Sequence, residues 1–151
     1  MNERYIRQTM IPEIGEAGQE KLKNAKVLIV GIGGLGSPIS LYLTAAGVGQ
    51  IGLIDDDIVS SSNLQRQILY TEAEIGQSKV ECACRRLSAL NSSTRFETYP
   101  NRFTSDNADR LVSTYDIIVD GCDNAATRYL IDDVCSCFKK PYVYGAISEF
   151  R

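Results

Sequence analysis

Lys26-Val27-Leu28-Ile29-Val30-Gly31-Ile32-Gly33-Gly34-Leu35-Gly36 is the stretch on which the fold turns. An apolar run that ends in glycines reads as a fully buried strand. Gly31, Gly33 and Gly36 then match G-x-G-x-x-G between a strand and a helix. Glycines let the backbone approach a phosphate, and the helix N-terminus behind them offers unpaired N–H groups and positive partial charge. Ser37-Pro38 opens that helix, with Pro at an early position where a missing N–H costs nothing. A Walker loop is excluded, because Ser37-Pro38 stands where Lys-Ser/Thr is required.

Outward from the loop, strands and helices alternate. Ile39, Leu43 and Ala46 share one face of the first helix, and Gly47 suits its end. Gln50 to Asp55 is the second strand, and its terminal acid can accept hydrogen bonds from ribose hydroxyls. Ser78-x-x-Glu81 reads as a capping box, followed by Val80, Ala83, Leu87 and Leu90 at helical spacing. Thr94 to Tyr99 is the third strand, Asp106 to Ser113 a helix and Tyr115 to Asp120 the fourth strand. Leu130, Val134 and Phe138 mark the face of the next helix, and Tyr142 to Ile147 is the fifth strand. This alternation predicts an α/β, Rossmann-like, doubly wound parallel sheet of order 3-2-1-4-5. Residues 1–25 read as an N-terminal arm, loose to Gly15 and helical from Glu16 to Asn24; residues 26–151 read as the nucleotide-binding domain.

Composition narrows the chemistry. The 151 residues are 44% hydrophobic and 23% charged, with a net charge of -3, as expected for one ordinary globular domain. No basic run supplies a footprint for nucleic acid. No apolar run approaches the ~20 residues that span a bilayer, and the polar start lacks a signal-peptide core. The expectation is therefore a cytoplasmic protein without nucleic-acid or membrane partners. Histidine is absent, which removes the commonest general base. The cysteines, Cys82, Cys84, Cys122, Cys135 and Cys137, lack zinc-knuckle spacing and read as plain buried thiols.

The polar residues after the strands carry the rest. Ser62-Asn63-Leu64-Gln65-Arg66-Gln67 follows the second strand, Lys79 opens a helix, and Asp123-Asn124 follows the fourth strand. The C-terminal ends of parallel strands share one edge, so Arg66, Lys79 and Asp123 can converge on phosphates held by the glycine loop. Two cations and a carboxylate suit a triphosphate with Mg²⁺. The glycine motif by itself leaves a nicotinamide cofactor and ATP both open. A hydride-transfer enzyme needs a proton-handling group, and neither a histidine nor a Tyr-x-x-x-Lys pair is present. A nucleotide-holding module without catalysis is the third reading.

Arg4-Tyr5-x-Arg7-Gln8, Gly31-x-Gly33-Gly34-Leu35-Gly36, Ala46-Gly47-Val48-Gly49, Asp55-x-Asp57, Ser62 to Gln67, Gly76-x-x-Lys79 and Asp123-Asn124 together resemble the ThiF/MoeB/HesA adenylyltransferases. These are the bacterial relatives of ubiquitin-activating enzymes. The resemblance implies that Gly34 lies against ATP and Asp55 binds its ribose. It implies that Asp57, Asn63, Arg66 and Lys79 surround the phosphates, and that Asp123 holds Mg²⁺. The neighbouring Ser62, Leu64, Gln65 and Asn124 belong to the same implied site. Arg7 would reach the triphosphate of a second subunit in a homodimer. The implied reaction adenylates the terminal glycine carboxylate of a ubiquitin-like sulfur-carrier protein, for thiamine or molybdopterin synthesis. Members of the family are longer. The chain is expected to be truncated, short of further strands, much of the carrier-binding surface and any zinc ligands, and to be inactive by itself.

Overall fold

A computed structural model describes residues 3–147. Met1 and Asn2 of the expected arm, and residues 148–151 of the expected domain, lie outside the described residues. Five parallel strands form one sheet: β1 (Lys26–Val30), β2 (Gln50–Ile54), β3 (Arg95–Tyr99), β4 (Ile117–Asp120) and β5 (Tyr142–Tyr144). Their order is β3-β2-β1-β4-β5, as the alternation predicts. The helices are α1 (Ile6–Thr9), α2 (Gly15–Asn24), α3 (Gly36–Ala46), α4 (Lys79–Leu90), α5 (Ser105–Thr114) and α6 (Ala125–Phe138). No helix is long and apolar enough to cross a membrane, among the described residues.

The pleat sorts β1 into two cores. Val27 and Ile29 face a layer with Val80, Ala83 and Leu87 of α4, against which Leu22 of α2 and Ile39 of α3 pack. Leu28 and Val30 face Leu111 of α5 and Ile131 and Val134 of α6. Burial on both faces is why β1 reads as an unbroken apolar run. Connections change face between β1 and β4, so the edge above those strands is the topological switch point where such sheets bind ligands.

Several local expectations are corrected. Residues 3–9 of the arm expected to be loose form a 3₁₀ turn (Glu3–Tyr5) and α1, anchored by buried Tyr5. The buried face of α3 is small and polar, Ser37, Ser40 and Thr44, while Ile39 and Leu43 are only half-buried. Gly36 shows why: its Cα packs on the Gly31 backbone, so the helix approaches too closely for large side chains. Ser78 forms no capping box; Glu81 instead accepts from Thr98 Oγ1 at 3.1 Å. The N–H of Lys79 donates to the Asp57 carbonyl (3.0 Å), because an antiparallel bridge between Ile58 and Ser78 pins the start of α4. Tyr115 precedes β4 and is fully buried, its hydroxyl 3.0 Å from that of Tyr99. On α6 the buried residues are Ile131, Val134 and Cys135; Phe138, the last residue before Lys139 turns at φ 52, stays 40% exposed. β5 stops at Tyr144, because its ladder partner β4 ends at Asp120. Cys82, Cys122 and Cys135 are buried, but Cys84 is only half-buried and Cys137 is exposed.

Candidate nucleotide site

The glycine loop begins with Gly31 at φ +86, a left-handed conformation that suits glycine. A side chain there would also strike the loop after β4, with Gly121 O at 2.9 Å and Cys122 N at 3.0 Å from its Cβ. The loops after β1 and β4 are thus in backbone contact at the switch point.

Asp55, one residue past β2, is half-buried and oriented from both sides. Its Oδ2 accepts the Ile32 N–H at 2.7 Å and its Oδ1 accepts the Asp57 N–H at 2.9 Å. The carboxylate is therefore fastened to the glycine loop. Asp57 in turn holds Lys79: Nζ to Oδ2 is 2.8 Å, with the lysine side chain 4% exposed and the aspartate 64% exposed. A buried ammonium needs such a partner. The backbone bond from Lys79 to Asp57 draws the two side chains into register.

Residues 60–67 fold over the glycines. Ser61–Asn63 is a 3₁₀ turn, and Asn63 Oδ1 accepts the Ser60 N–H at 3.2 Å. Ser62 Oγ lies 2.8 Å from Ser60 Oγ, and Leu64 packs against the core. Arg66 donates from Nη1 to the Ser62 carbonyl at 3.2 Å. Its Cδ lies 3.5 Å from where a Cβ on Gly34 would stand, so the exposed guanidinium arm runs beside Gly34. Gln65 is exposed. Gly31, Gly34, Gly36, Asp55, Asp57, Arg66 and Lys79 accordingly form one contiguous cluster.

Asp123 stands two residues past Gly121. Its carboxylate is exposed and has no hydrogen-bond or ion-pair partner among the described residues. Helix capping falls to Asn124 instead, whose Oδ1 accepts the Thr127 N–H at 2.8 Å. Among the described residues Asp123 thus has no engaged acceptor, and it follows by two residues the Gly121 that packs on Gly31. Mg²⁺ is usually held through one or two carboxylates, water and substrate phosphates, and the donor set fits it. The acidic run Asp55 to Asp57 also brings oxygens within 4.8 Å of one another. Those oxygens are already engaged by Ile32, Asp57, Lys79 and, for Asp56, by Arg102 at 2.8 Å.

Three residues outside the sequence-based set border the cluster. Gln67 is 4% exposed; its Nε2 lies 3.4 Å from where a Gly33 Cβ would be, and its buried Oε1 has no partner among the described residues. Tyr70 is buried and donates its hydroxyl to the Ile32 carbonyl at 2.8 Å. Burial first, and then the charge of Asp55, push its phenol pKa far up, so it remains a donor. Asp120 is buried at the end of β4 and accepts the Cys122 N–H at 2.9 Å. Gln67 is the last residue of the Ser62 to Gln67 motif, which was the available signal. Tyr70 and Asp120 look like core or strand positions in the sequence. Burial, and then Asp120, raise the Cys122 thiol to about 12, which leaves it neutral.

Arg7 is not part of this cluster. Its helix is fastened at the far end of α3, where Gln8 and Gln19 both donate to the Ala46 carbonyl (3.1 and 3.0 Å).

A doubly wound sheet with a glycine loop at its switch point, and with Asp55, Arg66 and Lys79 grouped around that loop, defines a nucleotide-binding α/β domain. The chain belongs to the ThiF family, whose pattern matches residues 5–151. It is 49% identical over 148 residues to the sulfur carrier protein adenylyltransferase of Thermus thermophilus, covering 98% of this chain and 55% of that one. It is 52% identical to the adenylyltransferase and sulfurtransferase MOCS3 of Culex quinquefasciatus, covering 98% of this chain and 34% of the relative. Among solved structures, E. coli tRNA N6-threonylcarbamoyladenosine dehydratase, TcdA, in complex with ATP superposes with a TM-score of 0.85. The identity is 28%, over 92% of this chain and 57% of that one. The chain thus spans between 34% and 55% of the length of these two curated relatives.

Proposed function

We propose that this chain is the ATP-binding part of an adenylyltransferase that activates the C-terminal glycine carboxylate of a ubiquitin-like sulfur-carrier protein. The observation that carries the reading is the fastening of Asp55 to the glycine loop, with Arg66 beside Gly34 and Lys79 on Asp57. An ionised carboxylate accepts about four hydrogen bonds, so Asp55 keeps capacity for ribose hydroxyls after its two backbone contacts. The α-phosphate then falls near the glycines and the start of α3, and the β- and γ-phosphates toward Arg66 and Lys79. ATP in the similar TcdA structure supports a nucleotide triphosphate in this type of fold.

The reaction needs no general base, in keeping with a chain that lacks histidine. A carboxylate is already ionised at neutral pH. Its oxygen attacks the α-phosphorus, the bond from that phosphorus to the bridging oxygen breaks, and pyrophosphate leaves with the electron pair. Arg66 and Lys79 stabilise charge that builds on the leaving group. Mg²⁺, held by Asp123, would neutralise phosphoryl oxygens. The name of the Thermus relative supports a sulfur carrier as the protein whose carboxylate is activated; thiamine or molybdopterin synthesis is the destination we propose for it.

Calorimetric titration with ATP–Mg²⁺ and, separately, with NAD tests the reading. ATP should bind and NAD should not, and Asp55→Ala should weaken ATP by about 1–3 kcal/mol. NAD binding without ATP binding, or an unaffected Asp55→Ala variant with its fold intact, would reject it.

A further inference from the structure

The polar group that the proposed chemistry leaves unused is Arg128, in the first turns of α6. Its Nε donates to Asp120 Oδ2 at 3.0 Å, and the Asp120 side chain is 0% exposed. With Oδ1 on the Cys122 N–H, both oxygens of this buried carboxylate are engaged. The guanidinium does more than neutralise it. Nη2 donates to the Cys122 carbonyl at 3.1 Å and to the Gly145 carbonyl at 3.4 Å, and Nη1 donates to the Tyr144 hydroxyl at 3.3 Å. The guanidinium carbon also lies 4.5 Å from the centroid of the Tyr144 ring. One planar fork therefore ties the loop after β4 to the segment after β5.

That tie is more than helix anchorage. α6 is already capped by Asn124 and seated by Ile131, Val134 and Cys135. The loop after β4, by contrast, has no regular structure at Gly121 to Asn124. Cys122 is held there by Asp120 at its N–H and by Arg128 at its carbonyl, one peptide from Asp123. On its other side Gly121 rests on Gly31. The Cys122 carbonyl belongs to the peptide that links it to Asp123, so fixing that carbonyl fixes where the Asp123 carboxylate starts.

We propose that Arg128 is a positioning residue. Through Asp120 and the Cys122 carbonyl it aims Asp123 at metal-bound phosphates, and through Gly145 and Tyr144 it makes that aim depend on how the chain after β5 is docked. What Asp123 faces rests on the adenylyltransferase reading; the bracing of the loop does not.

The test uses the intact protein with Arg128→Gln and Arg128→Lys. Mn²⁺ binding is read by electron paramagnetic resonance with a non-hydrolysable ATP analogue, metal-free affinity for that analogue by calorimetry, and Cys122 to Asn124 by amide hydrogen exchange. Arg128→Gln should weaken Mn²⁺ binding roughly 10- to 100-fold, leave metal-free nucleotide affinity within about threefold, and speed exchange in the loop. Arg128→Lys keeps a charge opposite Asp120 but cannot span both carbonyls. It should recover thermal stability without recovering Mn²⁺ affinity. Unchanged Mn²⁺ binding in a folded Arg128→Gln protein would overturn the proposal, as would recovery of stability and metal affinity together by lysine. If Arg128→Gln does not fold, Arg128→Lys decides: weakened Mn²⁺ binding supports the proposal and unchanged binding overturns it. Absence of nucleotide binding by the unmodified protein rejects the adenylyltransferase reading; loop exchange then tests the bracing alone, and unchanged exchange overturns it.

Discussion

A methyl group at Gly36 would land on the carbonyl oxygen of Gly31, whereas one at Gly34 would meet the Arg66 side chain at ordinary contact distance, nearest at Cδ, 3.5 Å. The two glycines of one motif therefore answer to different constraints. Gly36 permits the contact of helix and strand, and Gly34 borders the space beside Arg66. Gly36→Ala should lower stability by about 1–3 kcal/mol or more, because rigid backbone must move on both sides. Gly34→Ala should unfold at nearly the denaturant concentration of the parent protein and lose ATP affinity. Chemical denaturation and ATP titration of both variants separate these outcomes; equal stability losses would mean that Gly34 is also a packing glycine. The glycine loop and Asp55 were legible at this scale because their chemistry is local and their spacing short. Gln67, Tyr70 and Asp120 were not, because each owes its place to a partner or a burial that spacing does not encode.

The elements were legible where one force dominates and misread where two compete. β1 is an apolar run buried on both faces, and its reading needed nothing else. The start of α4 looked like a capping box, but tertiary pairing of Ile58 with Ser78 supplied its first N–H with a backbone acceptor. The same pairing holds Lys79 over Asp57, so what displaced the local cap also positions a candidate phosphate ligand. The arm was read as loose because α1 is too short for periodicity to mark. Its order comes from afar: Asn91 Nδ2 donates to the Tyr5 hydroxyl at 2.8 Å and to the Thr44 carbonyl at 2.9 Å. Asn91→Ala removes the donor to the Tyr5 hydroxyl and leaves the Thr44 carbonyl only the Gly47 N–H at 3.1 Å, and should cost about 1–3 kcal/mol. Amide exchange in residues 5–9 should rise while that of β1 stays slow. Unchanged exchange in the arm would mean that Gln8 and Gln19 suffice to hold it.

At the scale of the whole molecule, the position of Arg7 bears on how many chains make a site. α3 has 11 residues from Gly36 to Ala46, a length of about 16 Å at the usual helical rise. The glycine loop lies at one end, and the arm is fastened at the other through Gln8, Gln19 and Tyr5. An arginine side chain extends only about half that length, so Arg7 serves a triphosphate most directly if a second subunit presents it. We therefore propose a homodimer whose two sites each borrow one Arg7. The sheet order was legible because each crossover is local. An interface between copies was not, because nothing in the periodicity of one chain marks which exposed face meets another. The experiment is complementation in the intact protein, read as carrier-dependent exchange of pyrophosphate into ATP. Arg7→Ala and Arg66→Ala should each lower that exchange by roughly 10²-fold. Mixing the two variants and allowing subunits to exchange should restore part of it. A heterodimer then holds one site with both arginines altered and one with neither. At equal mixing and random pairing, about half of the dimers carry one intact site, so recovery should approach about a quarter of the parent rate. Subunit exchange is followed independently by native mass spectrometry of isotopically labelled chains. Proven exchange without recovery would return Arg7 to its own subunit or remove it from the reaction, and the shared site would fall with it.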